Sequence, residues 1–312
     1  VDDKVVSYNG SVALSSTPAS FNGGFIHVLQ SGGVTYYVVL GRNACKVYTA
    51  GNWYDISPAL LSLSAGQELD WTATMLGNIP VFNNPYYGPV YWSPQSTTQI
   101  LLPLLFDNSP SQTWIAKGFF AKTIRAHKNF LFALNLTEGG TAYPYSYRWS
   151  HPADTNGLPP SWDDTDLAFI ASKESIAGSG NDIIDGCSIR DAFCIYSKGA
   201  VTMLDYVGDE FVWHARQLSA SFGLATENAV VEFMGVNAFL TDGDILLNDG
   251  NSLKSILSRR LRRKLASSIS STNYANSFAM HVPNMGEVWF CIVEEGSTYA
   301  SIAYIYNYVN DT

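Results

Sequence analysis

The sequence predicts an all-β protein, a β-propeller of about six to eight blades with one inserted basic amphipathic helix. Two observations carry this prediction. Aromatic residues make up 13% of the 312 residues and charged residues only 14%, while 25 glycines and 13 prolines punctuate the chain, a composition typical of strands joined by tight turns. In addition, about six sheet-like units of roughly 40 to 50 residues follow one another, which is the spacing of propeller blades.

The first unit shows how the strands are recognised. The run of β-branched and aromatic residues from Val34 to Leu40 follows the glycine pair Gly32-Gly33. Lys46 to Tyr48 and the turn Gly51-Asn52 come directly after it. Glycine and asparagine supply the backbone conformations that tight hairpins need, so two or three antiparallel strands fit into about 25 residues.

Five further units repeat this pattern of strand-like runs between turn residues. They centre on Val81-Phe82 with Tyr91-Trp92, on Phe130 to Leu134 with Tyr145 to Trp149, on Ala192 to Tyr196 with Val201 to Leu204, on Ala229 to Phe233 with Ala238 to Leu240, and on Glu287 to Val293 with Ala300 to Tyr306. The competing architecture is a β-sandwich with long insertions. We favour the propeller because many sandwich domains are nearer to about 100 residues, and the Cys-Trp-Cys spacing of immunoglobulin domains is absent.

The domain organisation follows from these units. We expect residues 1–312 to form mainly one propeller domain that is a segment of a longer polypeptide. Residues 1–67 are assigned to a first blade or to a connection.

Residues 252–269 depart from the strand pattern and predict a helix. An apolar stripe at spacings of three and four is formed by Leu253, Ile256, Leu257, Leu261, Leu265 and Ile269. This periodicity indicates a helix with one buried face. Asn251 or Ser252 is positioned to cap its start.

The same segment concentrates positive charge. A third of the 18 basic residues lie within it, namely Lys254, Arg259, Arg260, Arg262, Arg263 and Lys264. Three interpretations are open: a solvated face above a packed apolar side, a docking surface for an acidic neighbouring subunit, and a local contact to phosphate.

The overall charge limits the function. A net charge of -9 and an isoelectric point near 4.9 argue against a protein that grips nucleic acid over its whole surface, because phosphate contacts need a basic face. No apolar run approaches the roughly 18 residues of a membrane-spanning helix, so we expect no membrane span.

No catalytic, cofactor or metal site is predicted. The five histidines are scattered without a catalytic motif, and the four cysteines show no CxxC spacing and are predicted to be buried free thiols. Two acidic clusters remain. The first is residues 163–166 (DDTD), and the second combines Asp242-Gly243-Asp244 with Asn248-Asp249-Gly250. We favour turn chemistry over a Ca²⁺ loop for both, since neither has EF-hand spacing.

An ordered series of modest motifs runs from about residue 68 to the end. The first of them are Asn78 to Pro85, Tyr91-Trp92, Tyr147 to Ser150 and Ser161-Trp162; the later ones are Arg190 to Tyr196, Met203 to Gly208, Phe211 to Arg216, Ala238 to Ile245, Asp249 to Ile256, Arg262 to Lys264, His281 to Asn284, Glu287 to Phe290 and Tyr306 to Thr312. In this succession the chain resembles the tail nozzle family of short-tailed bacteriophages (podoviruses), also called tail tubular protein B.

The resemblance implies a structural virion protein of the tail rather than an enzyme, without a cofactor. Family members form a ring, expected to be a hexamer, which lies below the adaptor and portal and encloses the channel through which the DNA leaves. An acidic channel wall would repel phosphates and let the duplex pass without sequence-specific binding. The basic segment would then contact the next subunit, the adaptor or another tail protein.

Two other functions remain open at this stage. A phage tail propeller that binds carbohydrate or a receptor could use exposed aromatic residues in loops such as Tyr86-Tyr87 and Tyr143 to Tyr147 to stack on sugar rings. A general protein-interaction scaffold would likewise need no catalytic group.

Overall fold

The protein is described by a computed structural model that covers residue 18 and residues 21–154, 157–176, 182–208 and 212–312. Residues 1–17 of the predicted first unit, and Phe211 of the motif series, lie outside the described residues. The predicted hairpins form six antiparallel sheets in chain order, so the chain is a six-bladed β-propeller.

The first three blades each have four strands. Blade 1 contains β1 (Gly23–Ser31), β2 (Val34–Gly41), β3 (Cys45–Thr49) and β4 (Asn52–Asp55). Blade 2 contains β5 (Thr72–Leu76), β6 (Ile79–Asn84), β7 (Gly88–Tyr91) and β8 (Leu102–Pro103). Blade 3 contains β9 (Phe119–His127), β10 (Phe130–Glu138), β11 (Thr141–Trp149) and β12 (Ser172–Ser175).

The next two blades also have four strands, whereas the last has three among the described residues. Blade 4 contains β13 (Ile183–Ile189), β14 (Ala192–Ser197), β15 (Val201–Tyr206) and β16 (Trp213–Ser219). Blade 5 contains β17 (Val230–Phe233), β18 (Val236–Thr241), β19 (Asp244–Asn248) and β20 (Leu253–Ser255), and blade 6 contains β21 (Phe278–Val282), β22 (Glu287–Ile292) and β23 (Ile302–Asn307).

The first strand of each blade lies nearest the propeller axis. From blade 2 to blade 6, the first strands of successive blades contact each other. Because neighbouring strands in a blade are antiparallel, the connections from one blade to the next all emerge on one face, which we call the upper face. The connections between first and second strands, and between third and fourth, lie on the opposite, lower face.

Four hydrophobic clusters hold the blades together. They join blades 1 and 2, blades 2 and 3, blades 3 and 4, and blades 4, 5 and 6. Between blades 3 and 4 the rings of Phe132 and Phe193 stack with centroids 4.2 Å apart. None of the clusters among the described residues joins blade 6 to blade 1, so that junction lacks the core that the other five have.

The predicted helix over 252–269 is shorter than its apolar periodicity indicates. The helix α1 is Arg259–Ser268, on the upper face between β20 and β21. Leu253–Ser255 instead pairs with β19, because Asp249 accepts hydrogen bonds from the backbone N–H groups of Asn251 and Ser252 and closes a tight hairpin. The cap is therefore Ser258, whose Oγ accepts the N–H of Leu261 at 3.3 Å, and the predicted caps Asn251 and Ser252 are wrong.

The apolar stripe packs partly through the strand and partly through the helix. Leu265 is fully buried, and Leu253, Ile256, Leu257 and Ile269 pack against the same cluster of blades 4 to 6. Tertiary packing therefore uses the predicted apolar side even though only Leu261 and Leu265 of its six residues lie in α1. Within the described part of the chain, no helix has the length and apolar character needed to cross a bilayer.

Candidate functional site

A polar cluster on the propeller axis links four blades. Arg125 of β9 forms a bidentate ion pair with Asp185 of β13, with Nε and Nη2 at 2.7 and 2.6 Å from the two carboxylate oxygens. Its other nitrogen donates to the Ala73 carbonyl of blade 2 at 2.7 Å, and Nη2 also reaches Asn228 Oδ1 at 2.9 Å. Asn228 in turn donates to Asp185 and to the carbonyl of Trp71.

The axial cluster contains two opposite charges that are both largely removed from solvent. The Asp185 side chain is 0% exposed and that of Arg125 only 15%. Burial opposes the guanidinium charge, but the adjacent Asp185 carboxylate outweighs it and places the pKa of Arg125 above its usual range. Burial, and then the charge of Arg125, lower the pKa of His27 to about 4. The cluster therefore contains the buried Arg125–Asp185 ion pair, with His27 neutral beside it at pH 7.

A cavity of about 300 Å³ opens on the upper face next to the axis. Its lining includes the carboxylates of Asp70 and Glu227, the ammonium of Lys122 and the ring of Tyr86. Lys122 pairs with Glu227 at 3.2 Å. Burial, and then the negative charge of Glu227, raise the pKa of Asp70 to about 6, so Asp70 holds its proton more tightly than a carboxyl group in water does.

The predicted basic segment is displayed at the surface of the upper face. Arg259, Arg260, Arg263 and Lys264 are exposed on α1. Arg262 lies 3.6 Å from the carboxylate of Asp244.

Lys254 is also exposed but lies on β20 rather than on the helix. The structure therefore brings five of the six predicted cations together on α1 and places the sixth on a neighbouring strand.

Both acidic clusters contain side chains that accept hydrogen bonds from neighbouring residues of the chain. Asp163 Oδ1 accepts the backbone N–H and the hydroxyl of Thr165, and Asp164 pairs with the buried Arg148 at 2.8 Å. Asp244 accepts the Ile245 N–H. The contacts of Asp163, like those of Asp249 with Asn251 and Ser252, are the turn chemistry that the sequence predicts, whereas Asp164 forms an ion pair outside its own turn.

The cysteines are free thiols, as predicted. Cys45 and Cys194 are buried, whereas Cys187 and Cys291 are half-buried. Burial raises the pKa of Cys291 above its ordinary value, so its thiol is largely protonated at neutral pH.

The tyrosines of the two predicted aromatic loops differ in their exposure. Tyr86 is 57% exposed at the cavity, whereas the hydroxyl of its neighbour Tyr87 donates to the Ala59 carbonyl. Tyr143 and Tyr145 are each 39% exposed on blade 3, away from the cavity lining, and Tyr147 is buried. Sequence reasoning identified Tyr86 but missed the axial cluster and the carboxyl pair beside it.

Comparisons with known proteins give no family. No family model matches the chain, and no curated protein matches it. Among solved structures, the extracellular domain of a hybrid two-component system from B. thetaiotaomicron aligns with 89% of this chain at 12% sequence identity and a TM-score of 0.46. The aligned part is 32% of that protein's chain, so this chain spans about a third of its length.

Proposed function

We propose that this chain is a structural component of a short-tailed phage tail, a subunit of the nozzle ring that encloses the DNA exit channel below the adaptor and portal. The ordered motif series from about residue 68 to 312 supports this assignment, and a propeller of the observed kind provides a rigid body for such a ring. The net charge of -9 suits a wall along which a polyanion must slide.

The observation that carries the proposal is the exposed basic face of α1. Six of the 18 basic residues lie within an 11-residue stretch on one face of an acidic protein. Such a separation of charge favours contact with an acidic surface, and the remainder of a second copy provides one. Arg259, Arg260 and Arg263 are therefore assigned to the contact with the next subunit or with the adaptor.

The axial cluster supports a channel formed between subunits. Arg125 reaches across the axis to blades 2, 4 and 5, so charged side chains occupy the centre of the propeller. A DNA duplex is far wider than this packed centre. DNA would pass along the outside of each propeller, through the opening of the ring.

A cryo-EM map of the particle that contains this chain tests the assignment. We expect a six-bladed propeller repeated around the tail axis, with α1 at the contact to a neighbouring subunit or to the adaptor. A propeller at the periphery of the particle, or at a single position off the axis, would contradict the assignment.

Removing charge from α1 is expected to weaken assembly without unfolding the protein. The variant Arg259→Ser, Arg260→Ser, Arg263→Ser keeps Arg262, which pairs with Asp244. Three exposed ion pairs contribute about 0.2 to 1 kcal/mol each, so we expect roughly tenfold weaker incorporation into particles. Quantitative mass spectrometry of purified particles measures it.

A matched control tests whether the position of the removed charges matters or only their number. Lys128, Arg190 and Lys198 are exposed on blades 3 and 4, and replacing them by serine removes the same three charges. We expect normal incorporation of this control. Equal incorporation of both variants would rule out α1 as a docking surface.

A second candidate function is sugar binding in the upper cavity. Tyr86 is 57% exposed at a cavity that also offers the carboxylates of Asp70 and Glu227, and an aromatic ring beside hydrogen-bonding groups fits a sugar. We expect Tyr86→Ala to abolish any binding detected on an array of bacterial glycans, and Tyr145→Ala to leave it unchanged. A chain that binds no glycan, or equal loss in both variants, would exclude this function.

A further inference from the structure

The cavity on the upper face is rich in hydrogen-bond acceptors and poor in free donors. Among the described residues, its lining contains the carboxylates of Asp70 and Glu227 but a single ammonium group, that of Lys122. Lys122 lies 3.2 Å from Glu227, so its charge is already paired. Asp70 forms no ion pair of this kind in the described part of the chain, and its carboxylate is therefore the acceptor that is left without a cation.

The amide side chains around the cavity already use their N–H groups within the protein. Asn135 lines the cavity, and its Nδ2 donates to the Ile183 carbonyl at 2.9 Å. Asn83 lies behind the wall, where its Nδ2 donates to the carbonyls of Ala121 and Lys122 at 3.0 and 3.1 Å. Asn83 is 1% exposed, and its Oδ1 has no hydrogen-bond partner within the described ranges. A ligand in this cavity therefore meets acceptors and must supply the donors itself.

Two aromatic rings share the lining with Asp70. Tyr86, which is 57% exposed, and Phe120 both border the cavity. The face of an aromatic ring attracts cations, and it also packs against the apolar face of a sugar ring. Aromatic rings and an unpaired carboxylate in one cavity suit a ligand that carries a positive charge on a sugar-like frame.

The charges around Asp70 also favour a cationic ligand. With Asp70 and Glu227 ionised, the described lining carries two negative charges and one positive charge, a net charge of -1. The negative charges of Glu227 and, more weakly, Glu68 act on Asp70, and a bound cation would relieve this repulsion. The volume of about 300 Å³ is at the lower end of the range for small-molecule sites, so a ligand of monosaccharide size fits.

We propose that the upper cavity binds an amino sugar whose free ammonium group pairs with the Asp70 carboxylate while the sugar ring stacks on Tyr86. This inference rests on the second candidate function, sugar binding, and narrows it to one class of ligand. A neutral sugar would leave Asp70 without a counter-ion, and an acidic sugar would be repelled by the two carboxylates.

Calorimetric titration of the full chain with glucosamine, N-acetylglucosamine and glucose at pH 7 tests the proposal. We expect glucosamine to bind about tenfold more tightly than the two neutral sugars, because hydrogen bonds between charged groups are the stronger ones. Asp70→Asn keeps the shape of the side chain and removes its charge, so the preference for glucosamine should disappear. Asp191→Asn is the matched control, since this carboxylate is 99% exposed on the lower face, and it should keep the preference.

Removing Lys122 is expected to strengthen binding, which a variant that merely damages the fold would not do. Lys122→Met frees Glu227 from its ion pair and leaves the described lining with two uncompensated carboxylates. We expect glucosamine to bind several-fold more tightly to this variant, with no such gain for glucose.

Acid should weaken the binding of glucosamine. The pKa of Asp70 is about 6, so its carboxylate is mostly ionised at pH 7 and mostly protonated at pH 5. We expect roughly tenfold weaker binding at pH 5. The other titratable groups around Asp70 are Glu68, Tyr86, Lys122 and Glu227, and Asp70→Asn, in which they all remain, should lack this pH effect.

The outcomes separate this proposal from sugar binding in general. Equal affinity for all three sugars, lost in Tyr86→Ala, would overturn the amino-sugar proposal and leave sugar binding in place. A preference for glucosamine that persists in Asp70→Asn would also overturn it. No binding of any of the three sugars would overturn both.

Discussion

Replacing Asp185 by alanine is expected to lower the free energy of unfolding by about 3 to 5 kcal/mol. Asp185 is fully buried and holds two nitrogens of Arg125. Without the carboxylate, the guanidinium would remain in a site where its side chain is 15% exposed, and two of its nitrogens would lose their charged partner. The loss would also release Asn228, whose backbone N–H donates to the same carboxylate. Urea unfolding measures the change.

Two companion variants identify the cause. Asp191→Ala removes an ion pair with Lys128 in which Asp191 is 99% exposed, and we expect a change below about 1 kcal/mol. Arg125→Met combined with Asp185→Leu removes both charges, and should be more stable than Asp185→Ala alone, since no unpaired charge remains. A loss below about 1 kcal/mol for Asp185→Ala would show that the axial cluster does not hold the blades together.

The blades were predictable because their signals are local. Val34 to Leu40 alternates between the core shared with blade 2 and the exposed face, and Gly32 and Gly33 both adopt the positive φ angles of a tight turn. Each hairpin is specified by residues that are close in sequence. The count of six units in the sequence therefore agrees with the six sheets.

The start of α1 was not predictable from periodicity. Leu253 and Ile256 fit both an apolar helical stripe and the end of a blade, and the choice depends on β19, which offers hydrogen bonds to Leu253–Ser255. Long-range pairing overrides local helical preference here. The basic residues that follow are unaffected, because five of the six still lie together on the helix.

The axial cluster could not be derived from spacing. Arg125 and Asp185 are 60 residues apart, and Asn228 is 103 residues from Arg125. Nothing in the local sequence distinguishes this arginine from one at the surface. Only the circular arrangement of the blades brings the innermost strands together. The same arrangement places Asp70 and Glu227 in one cavity on the upper face.

Replacing Phe193 by alanine is expected to cost about 3 to 5 kcal/mol of unfolding free energy. Its ring is 0% exposed and stacks on Phe132 of the neighbouring blade at an interplanar angle of 13°, so the substitution would leave a cavity at the junction of blades 3 and 4. The facing sheets are both rigid and hydrogen-bonded, which restricts their collapse into that cavity. Urea unfolding again measures the change.

Phe222 offers the matched control, because it undergoes the same chemical change at a site that is 45% exposed. We expect Phe222→Ala to cost less than about 1 kcal/mol, since most surface substitutions do. A similar loss in both variants would show that the cost does not come from the junction. If Phe193→Ala alone is severe, blade-to-blade packing determines the stability of the ring. The junction between blades 6 and 1, which no hydrophobic cluster of the described residues spans, then becomes its weakest.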